Sequence, residues 1–150
     1  MADTAAPHFR EMERAECEAI LARNYVGRLA FAFHDRVDIE PINYVYEDGY
    51  IYGRTGPGTK LRTIEHYPWV AFEVDEVNEL FRWRSVVVHG TVYRLEPGHG
   101  LRSDEGFARA VEVLRRLMPT AFTAKDPLPE RTIVFRILAD ELTGRAAGAP

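Results

Sequence analysis

Short alternating runs of apolar and polar residues dominate this chain, and helical spacing is confined to three segments. Residues 13–24 hold few helix breakers and carry Ala15, Ala19, Ala22 and Ile20, so the pattern predicts a helix ending near Asn24. From Tyr25 onward the texture is that of strands. Residues 28–33 alternate large and small side chains, His34-Asp35-Arg36 can turn, and residues 37–46 read as a second strand. Glu47-Asp48-Gly49 is a hairpin signal, because Asp-Gly accepts the positive φ of a tight turn, and residues 50–52 return as a third strand. These three are expected to form an antiparallel meander. Residues 59–66 are predicted as a short helix closed by Pro68. Two further strands follow at 70–75 and 83–95, the second bent at Gly90. Residues 103–118 read as an amphipathic helix, with Ser103 as N-cap and Phe107, Val111, Leu114 and Met118 on one face. Residues 131–138 form the last predicted strand.

Six strands, short helical insertions and no strand–helix–strand alternation imply a mainly β fold, a six-stranded antiparallel barrel. The pattern divides the chain into a polar N-terminal arm (1–12), one domain (13–145) and a tail (146–150). At 150 residues, 46% hydrophobic and 28% charged, the chain has an ordinary globular composition and enough length to bury a core. A net charge of -4 argues against a general nucleic-acid binder and leaves room for a local basic pocket. A single cysteine, Cys17, can form no intramolecular disulfide, which fits a reducing compartment. With no signal-peptide pattern and no membrane-length apolar run, a cytoplasmic location is expected.

The strongest chemical signal is the stretch Gly53-Arg54-Thr55-Gly56-Pro57-Gly58-Thr59-Lys60, set between a strand and a short helix. Such a loop exposes backbone N–H groups, and the following helix adds its positive dipole end, an arrangement suited to a phosphate. Lys60 is one of only two lysines among 19 basic residues, and Arg54, Thr55 and Thr59 can add donors. As a mere turn the stretch would also be glycine-rich, so the pattern alone leaves both readings open. A nucleotide-triphosphatase P-loop is rejected. Gly53 and Gly58 have the right separation, but Thr59 stands where the lysine belongs and Lys60 where the hydroxyl belongs.

Pro41 within Glu40-Pro41-Ile42-Asn43-Tyr44 cannot donate to a sheet ladder, so it marks an edge or a break in pairing: either backbone groups there are free to meet a planar heteroaromatic ring, or the segment is an ordinary edge strand with a bulge. Trp83-Arg84-Ser85-Val86 can present an aromatic, a cation and a hydroxyl at a barrel rim, though Trp83 also suits packing over the core. The five histidines show no paired ligand spacing, and there is neither a cysteine cluster nor a G-x-S-x-G elbow. Zinc binding and nucleophilic catalysis therefore find no support.

Taken in order, these pieces resemble the pyridoxamine 5'-phosphate oxidase-like superfamily with its FMN-binding split barrel. They run from Ala22-Arg23-Asn24 and Val26-Gly27-Arg28-Leu29-Ala30 through Pro41-Ile42-Asn43-Tyr44, Asp48-Gly49-Tyr50-Ile51-Tyr52 and the Lys60 loop. Val70-Ala71-Phe72-Glu73-Val74, Trp83-Arg84-Ser85-Val86 with Gly90, and Glu141-Leu142-Thr143-Gly144-Arg145 complete the series. The nearest likeness is to the branch of 5-nitroimidazole resistance (Nim-type) flavoproteins. The resemblance implies a six-stranded split barrel and a homodimer with FMN at the subunit interface. It places Lys60, helped by Arg54 and Thr55, on the FMN phosphate. The backbone of Pro41, Ile42, Asn43 and Tyr44 would follow the isoalloxazine edge, and Arg84, Ser85 and Val86 would line the rest. An FMN-dependent oxidoreductase acting on small electron-poor, nitroaromatic-type substrates is the implied activity. Set against a true pyridoxamine 5'-phosphate oxidase the chain is short and lacks the C-terminal substrate-binding segment, which argues against vitamin B6 oxidation. A deazaflavin-dependent reductase, a non-catalytic flavin or haem binder (with His34 or His89 as ligands), and a barrel without cofactor stay open as rivals.

Overall fold

The computed structural model describes residues 6–98 and 101–148; residues 1–5 of the predicted arm, 149–150 of the tail, His99, and the Thr59 and Ser103 side chains lie outside that description. Among the described residues, eight strands and three helices follow the order β1 (His8–Glu11), α1 (Arg14–Arg23), β2 (Val26–Phe33), β3 (Arg36–Asn43), β4 (Val45–Glu47), β5 (Tyr50–Thr55), α2 (Thr59–His66), β6 (Trp69–Glu79), β7 (Arg82–Leu95), α3 (Leu101–Leu117) and β8 (Ile133–Gly148). All pairings are antiparallel, in the order β3-β2-β6-β7-β8-β5-β4, with β1 added on β8.

This order closes the sheet on itself. β3 and β4 lie at opposite ends of it, yet only Tyr44 separates them in the chain. The predicted second strand is therefore one run that bends at Tyr44 and serves both borders, not the middle of a flat meander. The bend is held by a fully buried side chain. Tyr44 donates its hydroxyl to the Leu21 carbonyl at 2.7 Å, its N–H donates to the Tyr25 carbonyl at 3.1 Å, and its ring meets Phe72 edge-on at 4.9 Å. Leu21 lies in the last turn of α1, where helix carbonyls lack an internal partner, so the phenol caps the helix as it closes the barrel. Burial pushes the phenol pKa up, which keeps it a donor.

Cys17, Ile20 and Leu21, at three- and four-residue spacing, are the face that α1 buries, while Ala15, Ala19 and Ala22 are exposed. Asn24 ends the helix and donates to both the Ile20 carbonyl and Glu76, each at 2.8 Å. The Asp48-Gly49 turn has φ of 49° and 81°, the two positive values a tight hairpin needs. At Gly90 the register of β7 against β8 shifts, with Asp140 of β8 left over between the partners of His89 and Gly90. A Cβ at Gly90 would lie 1.9 Å from the Leu138 carbonyl oxygen, so no other residue fits the crossing.

Several boundaries differ from the sequence pattern. His8–Glu11, within the predicted arm, form β1, and β8 runs on from the predicted last strand through Gly148. All four β1 residues are exposed and the end of β8 is alanine-rich, so backbone pairing makes this edge where no apolar alternation marks it. Helix α3 begins at Leu101, so Ser103 is inside it and is not its cap. The helix closes a second core of Tyr52, Leu95, Ala110, Val113, Leu114 and Val134.

Tyr44→Phe keeps the ring and deprives the Leu21 carbonyl of its donor. It is expected to lower stability by about 1–3 kcal/mol in urea unfolding, while Gly90→Ala should cost more because backbone must move.

Candidate functional site

The loop singled out above leads from β5 into α2, with Gly58 at the helix N-cap and no side-chain cap. The first turn of α2 thus has no capping side chain at Gly58, and a helix start of this kind suits an outside acceptor. Thr55 and Lys60 line one small cavity of about 100 Å³ with Ile64, Glu65, Arg94 and Phe135. Thr55 comes from the end of β5, Arg94 from the far end of β7, and Phe135 from β8. The lining is mostly apolar, with Lys60, Arg94 and Glu65 as its charged members. Lys60, only 18% exposed, pairs with Glu40 of β3 at 2.8 Å. Arg94 pairs with Glu65 of α2 at 2.8 Å and with Glu96. A cavity of this size admits a phosphate-sized group, whereas flat ring systems need several hundred Å³.

Arg54 is not brought to this cavity. Neighbouring residues on a strand point to opposite faces, so Arg54 and Thr55 of β5 cannot share one. The Arg54 guanidinium faces Asp126, at 2.6 and 2.9 Å, with side chains only 8% and 4% exposed. It also donates to Met118 Sδ at 3.0 Å and lies 4.9 Å from the Phe122 ring centre. The Asp126 carboxylate accepts from the Phe122 and Leu128 N–H groups at 2.8 and 2.9 Å. Hydrogen bonds from Arg54, above all, hold its carboxyl well below the usual aspartate range. Arg54 is thus a clamp for the segment between α3 and β8.

Within Pro41–Tyr44 the chain alternates as an edge strand should. Pro41 and Asn43 are exposed, Ile42 is 9% exposed, and the Tyr44 side chain belongs to the core. Pro41 sits opposite Arg28 on β2, and the Asn43 amide donates to the Tyr25 carbonyl at 3.4 Å. The Tyr44 N–H is engaged by Tyr25, so it is not free for a ligand.

Arg84, Ser85 and Val86 lie at the other end of the barrel. Arg84 lines a wider cavity of about 600 Å³ with Arg10, Arg82 and Trp83, and stands 4.0 Å from Glu76. Ser85 donates to Glu73 at 2.9 Å. Burial pushes the Glu73 carboxyl up, with Asp75 adding like charge. Val86 is fully buried core. From Arg84 to Arg94 along β7 is roughly 30 Å at about 3.3 Å per residue, more than a flavin phosphate spans. One chain therefore presents the expected site as two separate halves. A third surface lies between them, where Val37, Ile39 and Trp69 are 73%, 65% and 70% exposed beside Ala30, Ala32 and Ala71. Among the described residues no cluster of His, Cys, Asp and Glu could hold a metal ion, and no helix is long and apolar enough to cross a membrane.

Sequence reasoning missed Arg94, Glu40 as the Lys60 partner, and Asp126. Arg94 carried no signal, since only the sheet topology brings the end of β7 beside α2.

Asp126 has a lowered carboxyl pKa in the fold, so its contribution to stability is complete above the ordinary aspartate range and is lost as pH falls through it. Asp126→Asn is expected to lower the thermal midpoint at neutral pH. Its midpoint should then fall less steeply than the parent's between ~pH 5 and ~pH 2.

The chain is 30% identical over 148 residues to an uncharacterised protein of Rhizobium meliloti, covering 93% of this chain and 96% of that one. Its fold matches the crystal structure of an FAD-binding protein from Mesorhizobium loti with a TM-score of 0.75 and 30% identity, over 94% and 99% of the two chains. A candidate 5-nitroimidazole antibiotic resistance protein from Bacteroides thetaiotaomicron shares the fold at a TM-score of 0.76 and 18% identity, over 96% and 90%. The family model described as pyridoxamine 5'-phosphate oxidase matches residues 13–146, and with the split-barrel topology this establishes that the chain belongs to the pyridoxamine 5'-phosphate oxidase-like family.

Proposed function

We propose that this protein binds a flavin phosphate, FMN, as a homodimer and works as an oxidoreductase on small electron-poor substrates of the nitroaromatic type. The observation that carries the reading is the cavity at the start of α2. There Lys60 and Thr55 line a space suited to a phosphate beside the first turn of α2, whose N-cap residue Gly58 makes no side-chain capping bond. Its donor set is that of an oxyanion site, and the Mesorhizobium loti protein with the same fold is an FAD-binding protein. Family membership alone does not supply vitamin B6 oxidation.

The two-part distribution of the expected residues supports the dimer. A partner related by a two-fold axis can bring its Arg84 and Ser85 towards the flavin held at Lys60, which one chain cannot do for itself. Val37, Ile39 and Trp69 supply an exposed apolar surface for that association. The bound flavin supplies the hydride and electron chemistry. Lys60 and Thr55 hold its phosphate end, while the backbone of Pro41–Asn43 borders the ring. Arg54 acts at one remove, by fixing the segment over β5.

Purified protein is expected to take up FMN with absorption bands near ~370 and ~450 nm. Lys60→Ala should weaken FMN roughly 10- to 100-fold, read by fluorescence quenching, with FAD titrated in parallel. A colourless protein that ignores both flavins would remove the reading. In sedimentation the parent should run as two chains, and Trp69→Glu should shift it towards one chain with loss of flavin. A flavin-loaded single chain would contradict the shared site.

A further inference from the structure

The cavity that holds Lys60 contains a second cation, and both cations are already matched to carboxylates. Lys60 meets Glu40 at 2.8 Å, and Arg94 Nη1 meets Glu65 at 2.8 Å. Glu40 and Glu65 come from different elements, β3 and α2, and each side chain is 46% exposed. Glu96 engages Arg94 at Nε, a different nitrogen. Two cations lining a cavity of about 100 Å³ would repel one another without counter-charge. The two acids supply it, and because both are half-exposed water can take them when they let go.

A phosphate monoester carries about -1.5 to -2 charges at neutral pH and three acceptor oxygens. It can replace Glu40 and Glu65 almost charge for charge and, unlike them, reach Lys60, Arg94 and Thr55 together. Resting on the flavin reading above, we propose that Arg94 is a second phosphate-binding residue, and that Glu40 and Glu65 are resident counter-ions which the flavin phosphate displaces. Glu96 keeps its hold on Nε, so the guanidinium is already oriented when Nη1 changes partner. Displacement of the two acids makes affinity a difference between two sets of ion pairs. The acids therefore weaken the phosphate while keeping the cavity neutral when empty.

The test is a titration of the full-length protein with FMN and with riboflavin, which has the same ring and no phosphate. Arg94→Gln is expected to weaken FMN about tenfold and leave riboflavin unchanged. Glu65→Gln and Glu40→Gln should each tighten FMN roughly two- to fivefold, again without effect on riboflavin. Far-UV circular dichroism and the thermal midpoint check that each variant is folded, and Arg94→Lys, which keeps the charge, should recover part of the lost affinity. FMN affinity unchanged in Arg94→Gln, or lost equally for FMN and riboflavin, overturns the assignment of Arg94. Weaker FMN binding in both glutamate variants overturns the displacement. If the parent binds neither flavin, the flavin reading itself falls, and this inference falls with it.

Discussion

A single run of chain forms both borders of the sheet, and the whole architecture depends on how it turns at Tyr44. Two strands on opposite edges joined by one residue leave the sheet no choice but to curl. The turn would be unstable if it buried unpaired polar groups. Here the hydroxyl and the N–H of Tyr44 both find carbonyls, on α1 and on the connection after it. Closure and helix docking are thus one event. The same turn sets β3 beside α2, which places Glu40 within reach of Lys60.

Much of the fold was legible because its signals are local. The Asp48-Gly49 turn and the α2 span both follow from residues next to one another in the chain. Arg54 is an instructive middle case. The pattern ends the third strand at Tyr52, and a loop residue beside Thr55 can point anywhere. In the structure β5 continues to Thr55, and alternation then sends Arg54 and Thr55 to opposite sides. The partner that claims Arg54 is 72 residues away, in a loop with no periodicity to read. Arg94 was hidden for a different reason, since its position is a property of strand order. β1 was hidden because a wholly exposed edge strand has no apolar alternation.

The ion pairs of the molecule sort into two kinds by exposure. Arg54 and Asp126 are buried and multiply bonded, so their geometry is fixed and loss of either partner strands a charge. Lys60–Glu40 and Arg94–Glu65 have half-exposed acids, so water can take up each carboxylate when the pair opens. The first kind suits a brace, the second a place where something else binds. Sequence composition does not distinguish them, because an arginine looks the same in either.

Strand β8 pairs with β7 along most of its length, with β5 over its first part and with β1 over its last. All three partners precede it in the chain, and β1 is more than a hundred residues away in sequence. During synthesis, every one of them is made before the strand that joins them. Apolar edges of β5 and β7 must therefore wait, unpaired, until β8 emerges, and the loop-closure entropy of the β1 pairing is met only at the end. The barrel is thus expected to assemble late and cooperatively, and the interval before β8 arrives is when the nascent chain is most exposed to aggregation.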